Sequence, residues 1–458
     1  MPEVMGAELL VPRSNRGSYM DKSDYKFWTK KDLIARIAEL EKLAGTTVAQ
    51  TAVTPTLKPP RREKEFDFSA HPTRLIGLRF AYLGWNYNGL NVQFEDTPLP
   101  TVEGMLLKAL ARCRLIENEN DVKSCAFSRC GRTDKGVSAL AQVVSLRVRS
   151  RLSLEEQSDS VNDAREYAYI SLLNNSLPPD IRVYAVCLHP PPNFDARHSC
   201  RARHYKYFFA RRQSEKHQRL DIDAMREAVG FLVGTHDFRN FCKIDGSKQI
   251  THFFRQILSA DITLIDADAE GDEEIYVFDL RGTAFLWHQV RCIMGALFLI
   301  GQNLESPSLI AHLLDVTLFP QRPVYDMAAD FPLVLYNCEY DADVIWHSAA
   351  SLTPGSNTST ALSTLRGDAY GLWYDGAIKN QVTRAMRDAI ENAVPAAAVV
   401  VGSDRNAGRV KVNTGDGLGR WRSVYEPVEQ RRCAEHFEVQ NERYLRRKQP
   451  VALVAKED

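Results

Sequence analysis

Phe127-Ser128-Arg129-Cys130-Gly131-Arg132-Thr133-Asp134-Lys135-Gly136-Val137-Ser138-Ala139 sets two arginines, one carboxylate and a lysine into a segment punctuated by Gly131 and Gly136. Glycine lets a backbone turn tightly or come close to a ligand. An aspartate between arginines and a lysine should stay ionised, because nearby positive charge favours the carboxylate. A charged surface turn with a solvated aspartate is the plain alternative, since loops of this composition are common. The loop runs straight into Val143-Val144-Ser145-Leu146-Arg147-Val148, which alternates like a strand. Half-buried alternation of this kind points to an antiparallel sheet. The strands of a doubly wound parallel sheet would be apolar throughout.

The rest of the chain repeats that grammar. Strands are expected over Leu75 to Tyr82, Ile181 to Leu188, His204 to Ala210, Arg255 to Ile265 and Ile275 to Arg281. Helices are expected from Thr101, a plausible N-cap, and over Arg165 to Leu173, Asp223 to Val233, Leu286 to Ile300 and Ser308 to Val316. Two successive units of strands with covering helices predict an α+β fold: pseudo-duplicated halves, a mainly antiparallel central sheet covered by helices, and a cleft between the halves. The expected organisation is an N-terminal extension over 1–69, first and second halves of the core over 70–195 and 196–345, and a C-terminal extension over 346–458. The N-terminal extension comprises a disordered segment, an amphipathic helix over 31–44 and a basic linker. In the C-terminal extension, Ala349 to Thr360 reads as a linker, Thr383 to Ala393 as a short helix and Glu429 to Lys448 as a charged, basic helix.

A length of 458 residues allows about two to four domains, or one large core with extensions. Apolar residues make up 44% and charged residues 25%, as in ordinary globular proteins. The formal net charge is zero, so an anionic partner must be met by local basic patches rather than a global field. The nine cysteines form no CxxC pair or zinc-like cluster, which suggests reduced intracellular thiols. Met1 to Met20 has no apolar core of a signal peptide, and the longest apolar run, Cys292 to Ile300, is too short to span a bilayer. A soluble, non-secreted protein is expected.

Three further stretches carry candidate chemistry. Asp195 to Arg212 alternates arginines with tyrosines and phenylalanines; strand periodicity puts Arg201, Arg203, Tyr205 and Tyr207 on one face. Guanidiniums can hold phosphates, and rings can stack on splayed bases. His236 to Phe241 reads as a loop packed by two phenylalanines. Thr283 to Arg291 leads into the apolar helix, with His288 and Arg291 three residues apart. A buried arginine needs a carboxylate, and Asp134 is the candidate partner.

Gly131 to Val137 resembles the catalytic motif of the TruA-type tRNA pseudouridine synthases. Tyr82 to Asn88, Thr101 to Gly104, Leu177 to Val183, Phe194 to Arg197 with Arg203 to Tyr207, and Phe285 to Arg291 resemble that family's other stretches in the same order. Ser128-Arg129-Cys130, Lys135, Ser138 and Trp287-His288-Gln289 resemble the eukaryotic branch that acts on tRNA positions 38 and 39. The resemblance covers about 70–340 and implies isomerisation of uridine to pseudouridine without a metal, redox or nucleotide cofactor. It implies Asp134 as the catalytic carboxylate, held by Arg291, with Tyr205 as a catalytic residue that stacks on the uracil and is a candidate to take its C5 proton. Arg132 would grip the flipped nucleotide or fill its place, and Arg129, Lys135, Arg203, Tyr207 and His288 are candidate substrate contacts. Leu286 and Val137 would line a dry pocket. Implied partners are tRNA and a second copy of the chain, with no membrane, in the nucleus or cytoplasm. Competing readings are a tRNA-binding or chaperone protein, a family member acting at other tRNA positions, and a hydrolase with an aspartate nucleophile.

Overall fold

The computed structural model describes residue 40 and residues 66–93, 95, 97–212, 219–265, 274–352, 356–393 and 408–448. The chain divides into two units, Met1–Phe66 and Asp67–Asp458. The expected helix over 31–44 falls in the first unit and, Leu40 apart, lies outside the described residues, as does the linker up to residue 65. The second unit carries the sheet.

Among the described residues, ten strands form that sheet. The first half supplies β1 (Thr73–Tyr82), β2 (Ser128–Arg129), β3 (Ser138–Arg149) and β4 (Ile181–Cys187). The second half supplies β5 (Ala202–Ala210), β6 (Gly234–Asp237), β7 (Phe254–Leu264), β8 (Ile275–Gly282) and β9 (Leu333–Glu339), and β10 (His347–Ser348) closes one edge. The order is β10-β4-β1-β3-β9-β5-β8-β7-β6, with β2 paired to β3. The β3–β9 pair is parallel, Ser138 beside Val334 and Ala139 beside Leu335, while the other pairs in this sheet are antiparallel. That parallel pair is the seam where first-half strands meet second-half strands. Both seam strands begin at the same end of the sheet, so the loops before Ser138 and before Leu333 lie side by side.

Helices α1 (Val102–Arg112), α2 (Tyr169–Asn174), α3 (Ile222–Gly230), α4 (Gln289–Gly301) and α5 (Leu309–Leu314) belong to the same body. Thr101 caps α1 as the sequence suggests, its Oγ1 accepting from the Gly104 N–H at 3.2 Å. All of α4 is buried, as expected of a helix that is apolar on every side. Each fully buried leucine or phenylalanine on it, such as Leu297 and Phe298, contributes about 2 kcal/mol relative to exposure. All nine cysteines are free thiols.

Three local expectations change. The helix expected over 165–173 is instead a 3-10 turn, Ser160–Arg165, followed by α2. Glu166 stands between them in extended backbone, and its carboxylate accepts from Arg151 N, Ser150 Oγ, Tyr167 N and Arg74. The stretch expected to be a linker over 349–360 contains α6 (Ala349–Leu352) and the start of α7 (Ser356–Ala393), which also absorbs the short helix expected at 383–393. Serine and threonine composition is only a weak prior against helix. Here α7 is tied to β4 by Arg182 Nε on Asp368 Oδ2 at 2.7 Å. The basic helix begins only at α8 (Phe437–Lys448), because 432–434 pairs in extended form with the 322–324 backbone: Val324 N donates to Arg432 O and Ala434 N to Arg322 O.

Candidate active site

The Asp134 loop is shaped by a second loop, 84–91, packed backbone to backbone against it. Leu90 N donates to Thr133 O at 3.2 Å, and Gly84 N donates to Ser138 Oγ at 2.9 Å. A Cβ on Gly84 would lie 2.0 Å from Val137 O, and one on Gly89, which sits at φ +84°, would lie 2.9 Å from Thr133 O. Only glycine permits both the conformation and the approach. From below, Tyr82 in β1 shares a 2.7 Å hydrogen bond with Thr133 Oγ1. The loop's turn is therefore set by its tertiary neighbours as well as by its own glycines.

Asp134 meets an imidazole and a guanidinium from the segment entering α4. His288 Nε2 lies 3.3 Å and Arg291 Nη1 3.7 Å from its Oδ2. Arg291 is almost fully buried, so it is oriented rather than loosely steered. Its Nε donates to Ala328 O at 2.9 Å, and its Nη2 lies 3.6 Å from Asp330 Oδ2. Arg291 thus bridges two carboxylates, one in front of each seam strand. His288 is not part of the helix, as its spacing had suggested; it sits at φ +63° just before α4 and reaches Asp134 from that turn. Its Nδ1 is buried without a hydrogen-bond partner among the described residues.

The other candidates converge on one cleft, with a single exception. Arg129, Arg132, Asp134, Lys135, Arg203, Tyr205, His288 and Arg291 line a cavity of about 1060 Å³, together with Val137 and Leu286. Arg132 and Lys135 are exposed at its edge. With the Asn91 amide oxygen facing the guanidiniums, Asn91 accepts from Arg132 Nε at 3.2 Å and from Arg129 Nη1 at 3.0 Å. Arg129 also holds Glu103 at 2.7 Å. Arg203 braces three loops, donating to the carbonyls of Thr283, Cys130 and Arg197 at 2.9, 2.9 and 3.2 Å. Tyr205 presents its ring to the cleft with Phe285 edge-on at 5.0 Å. The exception is Tyr207. It shares the face of Arg203 and Tyr205, as strand alternation requires, but lies wholly in the core. Phe298 covers it edge-on at 5.9 Å, and its hydroxyl donates to Ala329 O at 3.1 Å. Gly415 of the C-terminal extension seals it, since a Cβ there would come within 2.7 Å of the Tyr207 oxygen.

Burial shifts two groups beside the cleft. It pushes the Tyr205 phenol far above its ordinary value, so that side chain stays protonated at physiological pH. It also raises the Glu103 carboxyl, an effect that the Arg129 guanidinium opposes. Sequence reading missed Asp330, Asn91 and Glu103. Asp330 lies in Ala-Ala-Asp-Phe-Pro, which carries no motif, and Glu103 reads simply as a first-turn acid of α1.

A carboxylate backed by a buried arginine and a histidine, in a cleft rimmed by arginines and walled by a neutral tyrosine ring, suits an isomerase acting on a nucleoside lifted from an RNA loop. Residues 228–341 match the family model described as tRNA pseudouridine synthase. The chain is also 45% identical over 441 residues to the tRNA pseudouridine(38/39) synthase of Saccharomyces cerevisiae, covering 93% of each sequence. It therefore belongs to the tRNA pseudouridine synthase family, enzymes that isomerise uridine to pseudouridine in tRNA. Among its other relatives is the tRNA pseudouridine(38/39) synthase of Homo sapiens, 44% identical over 298 residues, or 62% of this chain and 59% of the relative. The tRNA pseudouridine synthase A of Methanosarcina barkeri is 32% identical over 271 residues, 59% of this chain and 86% of that protein.

Proposed function

We propose that this enzyme converts uridine to pseudouridine at positions 38 and 39 of the tRNA anticodon stem-loop, with Asp134 as its catalytic carboxylate. The observation that carries the assignment is the pair of contacts on this carboxylate, His288 and Arg291 both meeting Asp134 Oδ2 inside the cleft. In the reaction the N1–C1′ bond breaks, the uracil turns, a C5–C1′ bond forms, the C5 proton leaves and N1 takes up a proton, so the product is an isomer of the substrate. Asp134 acts at the ribose or the base as the ionised group. Tyr205 supplies a stacking face, and because its phenol is held protonated the C5 proton passes to Asp134 or to water rather than to it. Arg132, released from Asn91, grips the flipped nucleotide or fills the space it leaves. Arg129, Lys135, Arg203 and His288 complete the substrate-facing wall.

The test is Asp134→Ala with tRNA mapped chemically for pseudouridine. Modification should vanish while tRNA binding is largely kept, because phosphate contacts supply most of the affinity. Modification at the wild-type rate would overturn the assignment, and modification confined to other uridines in the wild type would overturn the choice of positions 38 and 39.

The working form is proposed to be a homodimer in the nucleus or cytoplasm. In support, α7 leaves Tyr370, Tyr374, Ile378, Val382, Met386 and Ile390 exposed at a spacing of four, an apolar stripe suited to covering by a second copy. A solution mass of one chain, 51.8 kDa, rather than two would refute this. Among the described residues no helix is long and apolar enough to cross a membrane.

A further inference from the structure

Behind the Trp287–His288 wall of the cleft lies a second cavity of about 320 Å³, at the lower end of the ~300–1,000 Å³ usual for small-ligand sites. Its lining joins three parts of the chain: Arg239, Lys243 and Trp287 from the core, Arg322 from the segment before β9, and His436 and Phe437 from the C-terminal extension. Trp287 lines both this cavity and the catalytic cleft. It is nearly half exposed, with 47% of its surface open to solvent, although its ring lies 4.3 Å from that of His288. Its open face is available for a base to stack on.

The charge in this cavity is unbalanced. Arg239 is neutralised by Asp237, which accepts from its Nε at 3.1 Å and its Nη2 at 2.8 Å. The one carboxylate on the wall, Glu435, is engaged by Arg443. Lys243 and Arg322 form no ion pair among the described residues. Lys243 is exposed, while Arg322 spends one nitrogen on Tyr325 O at 2.9 Å and keeps its Nε buried and unpartnered. Two unneutralised cations next to an open indole match the chemistry of one nucleotide: a phosphate for the cations and a base for the ring.

The geometry also ties this cavity to the cleft. Lys243 N donates to Trp287 O at 3.2 Å, so the lysine and the tryptophan are fixed relative to each other. The loop that follows, with Asp245 and Lys248, borders the catalytic cleft and is propped by α8. Gln249 Nε2 donates to Asn441 O and Asn441 Nδ2 to Ile250 O, each at 3.1 Å, and a Cβ on Gly246 would lie 2.6 Å from Gln440 O. The C-terminal extension thus builds one wall of the cavity and steadies the loop that separates it from the cleft.

We infer that this cavity is a second nucleotide subsite: it takes the loop nucleotide next to the target uridine, with its base on Trp287 and its phosphate on Lys243 and Arg322. The inference rests on the reading of the substrate as a tRNA anticodon loop. The strand then passes over Trp287, and the target base alone enters the cleft.

The test uses the full chain and a synthetic anticodon stem-loop, with binding measured by fluorescence anisotropy across a salt series. Lys243→Ala should weaken binding about 5- to 10-fold and lower the salt slope by about one. Lys243 is exposed, so folding is not at issue. A methylphosphonate placed in turn at each loop phosphate removes one charge at a time. At one phosphate flanking the target it should weaken the wild type about 5-fold and Lys243→Ala clearly less, because only Arg322 then faces that phosphate. Wild-type affinity and slope in Lys243→Ala, or equal losses in both proteins at every phosphate, would overturn the inference. It would also be overturned if uridine monophosphate bound the wild type but not Lys243→Glu while stem-loop binding stayed equal, for the cavity would then hold a free nucleotide. Binding needs no turnover, so the result stands apart from the fate of Asp134→Ala.

Discussion

Replacing Arg291 by methionine probes the centre of the proposed site, because that guanidinium is the buried positive charge between two carboxylates. Its Nη1 lies 3.7 Å from Asp134, and its Nη2 lies 3.6 Å from Asp330. With an effective dielectric of about 20, one such contact amounts to about 4.5 kcal/mol of Coulomb attraction. Asp134 is about a quarter exposed and shares the cation with Asp330, so roughly half, ~2 kcal/mol, is what the catalytic carboxylate draws from it. If that share orients and stabilises Asp134 in the transition state, its loss slows the chemical step by ~30-fold. Methionine fills similar space, and the structural cost should be the Nε bond to Ala328 O, about 1 kcal/mol. Arg291 is too deeply buried to reach phosphate, so RNA affinity should change less than about threefold. The assay is single-turnover pseudouridine formation at saturating enzyme, with affinity and melting temperature measured in parallel. A rate within threefold of wild type would show that Arg291 holds the fold and not the carboxylate. A large loss of affinity with an unchanged rate would make it an RNA contact.

Two other outcomes follow from buried groups. Tyr205→Phe should lower the rate less than about 10-fold and leave the pH profile between about pH 6 and 9 unchanged, because burial keeps the phenol protonated throughout; loss of an alkaline limb in this variant would mean that the phenol titrates as a base. Glu166→Gln should cost about 1–3 kcal/mol: Arg74, 4% exposed, loses its 3.0 Å ionic partner and keeps the Asp163 carboxylate at 3.9 Å and the Leu188 carbonyl at 2.6 Å. Burial pushes the Glu166 carboxyl up, but hydrogen bonds from Arg151 N, Ser150 and Tyr167 N together with Arg74 more than offset it, and it is depressed below the ordinary 4.5. Its contribution is therefore complete above that unfolded-state value and is lost as pH falls through the lower folded value. The melting gap between wild type and Glu166→Gln should narrow on acidification, and a gap that stays constant down to about pH 3 would sink the reasoning.

Much of this was legible in local pattern. Strand alternation and helix periodicity depend on neighbours a few residues apart, and they placed the main strands and the apolar α4 close to their observed bounds. The glycine-punctuated loop announced Asp134, because a backbone that must turn and be approached closely leaves a mark on residue choice. Local pattern failed where the deciding partner is distant. The serine- and threonine-rich start of α7 reads as linker because nothing nearby discloses Asp368 against Arg182. Tyr207 alternates correctly with Tyr205, yet the cleft ends between them because Phe298 and Gly415 cover one ring and leave the other open.

By itself, then, the sequence determined which residue types stand ready: an ionisable aspartate, an arginine in an apolar helix, a tyrosine on an alternating strand, and glycines where backbones meet. Tertiary structure decided which of them share a cavity. The parallel β3–β9 seam brings the loops of Asp134 and Asp330 together although the two residues lie 196 positions apart in the chain. That places Arg291 between two carboxylates, and the C-terminal extension closes a cationic cavity against Trp287. Such convergence is set by long-range strand register and by packing around a buried helix, and neither leaves a periodic signal in the residues that converge.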